Sequence, residues 1–176
     1  GELGYEIMLP VDSAQAFWDA LFKVGEPLGL LPAGAACVMM CRIEAGLIMG
    51  EVEYDHTMTP YECRMGWSVE LNKDNFHGKD ALIEAQKNPS LDIVSVILPG
   101  EGEYDGVELM DNNKKVGEVT MAIPSPYLDG QFLGLARIDR ASSAMGNKLD
   151  LNMDSNDQAE IVATPVYDPE RVRSRS

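Results

Sequence analysis

The stretch LDIVSVILPGEGEYDGVELMDNNKKVGEVT, residues 91–120, decides how the chain folds. Its first eight residues, LDIVSVIL, alternate, the period-2 pattern of a strand with a face in a core. Residues 107–120 read as two strands joined by Asp111-Asn112-Asn113, because asparagine adopts the positive φ that a tight hairpin demands. Further strands are predicted at 132–138, near 148–152 and at 159–163, and no convincing helical pattern falls between 90 and 176. The second half is therefore expected to be a small antiparallel β-barrel. The glycine-rich piece at 100–106 carries Glu101, Glu103 and Asp105, which would repel phosphate, so it reads as a turn and not a nucleotide loop.

Upstream of residue 90 the period changes. Ala14, Phe17, Trp18, Leu21 and Phe22 recur at helical spacing and predict a helix over 13–23 with one apolar face. Asp12 is placed to cap it, with Gln15 at the capping-box position. Glycines and prolines at 25–34 end that helix, and AACVMMCRIEAGL at 35–47 predicts a buried helix passing into an irregular segment. Residues 50–67 are polar, turn-rich and aromatic, as in an ordered loop. WSVEL at 67–71 alternates as a strand, and an amphipathic helix is expected after His77-Gly78, closed by Asn88-Pro89. The chain thus divides into residues 1–90, α+β, and residues 91–176, the barrel. Its tail, VYDPERVRSRS, gathers three arginines and is expected to be loose at its end.

A hydrophobic share of 45% with 24% charged residues fits a globular chain. A formal charge of -15 argues against nucleic acid or an anionic membrane as partner, since both demand positive charge. No run of about 18 apolar residues and no signal-peptide pattern appears, so a cytoplasmic setting is the default expectation. Cys37, Cys41 and Cys63 read as buried structural thiols and not as a metal site, because the two histidines, His56 and His77, lie at no ligand spacing.

Among the polar residues, Glu6 stands out. Gly4 to Leu9 alternate only loosely, as a largely buried strand would, and a carboxylate there must be paired or in contact with something that is not protein. A carboxylate so placed suits a heterocycle edge that offers an amino group and a ring N–H, such as a pterin. Arg42 and Glu44, two residues apart, read as a structural ion-pair element.

Several stretches together resemble the glycine-cleavage T-protein (aminomethyltransferase) family and its folate-dependent demethylase relatives. GELGYEI looks like the family's TGExGxE strand, RIEAGLIMG like its RxEAG segment, and TPYECRMGWSVELNKDNFHGKDAL like TPxEaGLxWxVxxxKxdFiGkxAL. VGEVTMAIPSPYLDGQFLGLARID is similar to VGxVTSGxxSPxLxxxIaLaxv, and VYDPERVR to PFxdPxxxR.

The resemblance implies the C-terminal half of that fold: in residues 1–90 the last part of a folate-binding α/β region, and in residues 91–176 the terminal barrel. It implies a one-carbon transferase with tetrahydrofolate as cofactor, a small one-carbon donor and lipoyl H-protein as partners. Glu6 falls on the carboxylate that holds the pterin, Tyr5 lies beside it, and Arg42 and Glu44 fall on the RxE framework near the pocket. The family's aspartate at the folate nitrogen has no counterpart here, so no catalytic residue and no metal ligand is assigned. Val38 replaces a folate-contacting arginine and Leu47 an aromatic ligand. Those two departures keep open a demethylase acting on a small methyl donor, and a non-catalytic folate-binding scaffold.

Overall fold

Six strands close on themselves in the second half of the chain. In the computed structural model, which describes residues 3–153 and 157–173, these are β1 (Leu91–Leu98), β2 (Glu108–Asp111), β3 (Lys114–Pro124), β4 (Phe132–Asp139), β5 (Lys148–Leu151) and β6 (Gln158–Val162). They form a closed barrel in the order β1-β4-β3-β2-β5-β6, with every neighbouring pair antiparallel and β6 returning to β1. Closure leaves no unpaired sheet edge. At the β2–β3 hairpin Asn112 and Asn113 adopt φ of 49° and 62°, the conformation a two-residue turn of this hand needs.

Alternation along the strands makes two apolar layers. Val94, Val96 and Leu98 of β1 point inward with Leu109, Val119 and Ile138, while Ile93 of β1 and Leu133 and Leu135 of β4 point outward. The outward set is covered by Ile43 and Cys63, so the first half of the chain packs on the barrel's outer wall. Where β3 meets β4 the backbones are close: a Cβ on Gly117 would lie 2.3 Å from the Arg137 carbonyl oxygen. Only glycine fits there. Farther along, the β3–β4 register slips between Val119 and Met121, leaving Thr120 out of the ladder.

The first half holds α1 (Ala14–Gly25), α2 (Ala35–Glu44) and α3 (Lys79–Lys87). No described helix is long and apolar enough to cross a membrane. Several expectations need correction. Residues 3–10 form no strand, and Glu6 is exposed, because a strand needs a hydrogen-bonding neighbour and none of the described residues offers one. Residues 67–71 likewise form no strand; a 3-10 turn, Gly66–Ser68, takes the start of that segment. Neither Asp12 nor Ser13 caps α1 through its side chain, since a 3-10 turn at Val11–Ser13 leads straight into the helix. The thiols also differ: Cys63 is buried, Cys37 half-buried and Cys41 exposed, because α2 turns only part of its circumference to the barrel. The outermost tail, residues 174–176, lies outside the described residues.

Candidate functional site

Arg42 and Glu44 occupy the last turn of α2 and point to different partners. The Arg42 guanidinium enters the seam between helix and barrel, where Nη1 donates to Glu53 Oε2 at 2.8 Å and Nη2 to Oε1 at 3.3 Å. Nη1 also donates to the Leu47 carbonyl oxygen at 3.1 Å, Nη2 to Met121 Sδ at 3.1 Å and Nε to Met39 Sδ at 3.4 Å. Both charged side chains are buried. Forked geometry of this kind is what lets an arginine pair survive desolvation.

Glu53 is completed from two further directions. Its Oε2 accepts the Met49 N–H at 2.7 Å, and the Thr120 hydroxyl lies 3.1 Å from Oε1 and 2.9 Å from the Leu135 carbonyl oxygen, two acceptors for one proton. The register slip in β3 is what frees Thr120 for this contact. The expected pairing of Arg42 with Glu44 is therefore corrected: Arg42 pairs with Glu53. The sequence reading passed over Glu53, whose one legible signal was its place among the turns of 50–67.

Glu44 joins two other segments. Its Oε1 accepts from Ser125 Oγ at 2.5 Å and from the Tyr127 N–H at 3.0 Å, and its carbonyl oxygen accepts from Val166 N at 3.1 Å and Tyr167 N at 2.9 Å. These bonds bring Tyr127 and Tyr167 edge to face, ring centres 5.2 Å apart. The 50–67 loop is anchored by Glu62, which takes four hydrogen bonds, from the backbone and hydroxyl of both Thr59 and Ser90. Burial opposes ionisation of Glu62, but those bonds outweigh it and hold its carboxyl down at about 2.

Glu6 and Tyr5 lie on the extended opening segment, Tyr5 84% exposed, and Glu6 has no hydrogen bond or ion pair with the described residues. The structure thus gathers Arg42 and Glu44 on the barrel seam and gives Glu6 no bond to either. Val38 on α2 is 57% exposed and Leu47 41% exposed, so both present apolar surface to solvent. A shallow groove of about 300 Å³ elsewhere on the barrel contains none of these residues. Its charges neutralise one another, with Glu118 taking Arg137 at 2.6 Å and Lys115 at 3.3 Å. No cluster of three or more potential metal-ligating side chains occurs among the described residues.

Comparison with known proteins adds the following. The family described as GCVT N-terminal domain matches residues 1–73, and the glycine cleavage T-protein C-terminal barrel domain matches residues 93–168. A trimethylamine-oxide aldolase of Ruegeria pomeroyi is 36% identical over 187 aligned positions, covering 100% of this chain and 23% of its own length. Aminomethyltransferases of Streptomyces avermitilis and Alkaliphilus oremlandii are 34% and 36% identical, each over 95% of this chain and 47% and 46% of their own lengths. The solved glycine cleavage system aminomethyltransferase T from Bartonella henselae superposes with a TM-score of 0.79 at 24% identity, over 90% of this chain and 45% of that one. The chain therefore spans about half the length of the aminomethyltransferases it matches, and about a quarter of the aldolase.

Proposed function

From the premise that the chain belongs to the glycine cleavage T-protein family, we propose that it carries one side of a tetrahydrofolate site in a one-carbon transferase. The observation that carries this reading is Glu6, a carboxylate within the matched N-terminal domain that no described residue engages. Such a group is free to accept the paired N–H donors of a pterin edge. Tyr5 stands next to it. Arg42 and Glu44 serve the pocket from behind, one tying the loop after α2 and the other tying the Tyr127 and Tyr167 segments. When bound, tetrahydrofolate supplies the nitrogen that takes up the one-carbon unit. The residues of this chain bind and orient it, so their contribution is attack geometry, and the acid–base group is assigned to no residue here. The folded chain by itself is proposed to be inactive, with lipoyl H-protein as donor partner only for the aminomethyl reaction.

A second reading has its own observation. The trimethylamine-oxide aldolase aligns over the entire chain, and the apolar Val38 and Leu47 replace the charged and aromatic groups the T-protein pattern carries. This favours a demethylase, taking the carbon of a small methylated donor to folate.

The test is calorimetric titration with tetrahydrofolate of the longest polypeptide its gene encodes. Glu6→Gln is expected to weaken binding more than tenfold, about 1.4 kcal/mol or more, the loss of one charge-assisted contact. An unchanged dissociation constant removes Glu6 from the site. Incubation with tetrahydrofolate and either aminomethyl-lipoyl protein or methylated amines, followed by product analysis, then separates the two reactions.

A further inference from the structure

Glu53 lies outside the residues the sequence singled out, yet together with Arg42 it ties the loop after α2 to β3. It is fully buried. Three elements converge on its two oxygens: α2 through Arg42, the loop after α2 through the Met49 N–H, and β3 through Thr120, while Arg42 in turn holds the Leu47 carbonyl of that loop. The β3 contact depends on a local break in the ladder, a feature that commonly re-aims a side chain where a fold serves a site.

We infer that Glu53 is a positioning residue that fixes the backbone of Leu47 to Met49 against the barrel, and so sets the wall the folate ligand meets beside α2. The inference rests on the folate reading given above. Three arguments support it. The carboxylate bonds the backbone of that loop and not only a side chain, so it determines where the chain runs. The loop emerges from it carrying Leu47 outward, with its side chain partly exposed while its carbonyl is held inside. Finally, a buried ion pair is poor value as a source of stability alone, because apolar residues of like volume often do as well. Specific placement is what remains for such a pair to supply.

That last point gives the experiment. Glu53→Gln leaves the Arg42 charge buried without its counter-charge and is at risk of not folding, so the decisive variant is the double replacement Arg42→Met with Glu53→Leu. It refills the seam with apolar volume and removes the side-chain bonds to the Leu47 carbonyl and the Met49 N–H, leaving the backbone bonds of that loop in place. In the longest encoded polypeptide, the double variant is expected to melt within a few degrees of the parent while its dissociation constant for tetrahydrofolate rises at least tenfold. Glu53→Asp, which keeps the charge, is expected to fold and to recover most of that affinity. A folded double variant with unchanged affinity overturns the inference and leaves the folate reading standing. No binding by the unaltered polypeptide overturns the folate reading, and the positioning role with it. A double variant that melts far below the parent, with Glu53→Asp binding as weakly as it does, makes Glu53 a stability residue and also overturns the inference.

Discussion

At the scale of single residues, Glu62 shows how a carboxylate can be held by a fold without touching a cation. Its four hydrogen bonds come from Thr59, at the head of its own turn, and from Ser90, the residue before β1, so it staples the 50–67 loop to the barrel. With its folded value near 2 and an ordinary value of 4.5, the group favours the folded state wherever it is ionised. That contribution is fully present above about pH 4.5 and is lost as pH falls toward 2. Glu62→Gln puts an amide donor against donors already in place, and at pH 7 it is expected to cost about 1.5–3 kcal/mol in denaturant unfolding. The variant should also lose part of the parent's decline in stability between pH 4.5 and 2. Equal acid slopes in the two proteins would show that Glu62 is not the group responsible. Both Glu62 and Glu53 illustrate what a sequence read alone withholds. Their partners lie 28 and 67 residues away in Ser90 and Thr120, and no local spacing announces a bond of that range.

At the scale of elements, the strands of the barrel were legible and the opening segment was not, for a single reason. β1, β2 and β3 declare themselves through alternation and a turn whose chemistry is local, so their limits follow from neighbours in sequence. Residues 4–9 carry a similar loose alternation, but a strand also requires a partner, and pattern says nothing of whether one is there. The helices divide likewise: the apolar face of α1 was plain from spacing, whereas the exposure of Cys41 on α2 depends on which side the barrel covers. Packing between strands can be tested at Gly117. Alanine there places a carbon against the Arg137 carbonyl and the Ile138 backbone, which cannot yield without moving β4. Gly117→Ala is expected to destabilise by about 1–3 kcal/mol or more, the scale of overpacking. Gly4→Ala, where nothing lies within 4 Å, serves as the neutral control in the same thermal melts. If both alanines melt alike, the strands are farther apart than described.

For the whole molecule, the two halves bury their apolar groups very unequally. The barrel encloses a core of fully buried side chains and leaves no open edge. In contrast α1 buries no residue, and its apolar face keeps Trp18 at 51% exposure, stacked mainly on Phe22 with ring centres 4.6 Å apart. A helix of 12 residues is near the length below which isolated helices are marginal in water. Local contacts of that kind set a low free energy for opening, while the barrel amides open only with the barrel. Amide hydrogen exchange on this chain should therefore show α1 exchanging at least a hundredfold faster than β1 and β4. The same exposed face favours self-association, so exchange is to be followed at several protein concentrations. Protection in α1 that rises with concentration identifies a second copy as what covers the face. Protection in α1 equal to that of β4 at every concentration would mean that the helix is held by this chain's own barrel, and the unequal division of the core would be wrong.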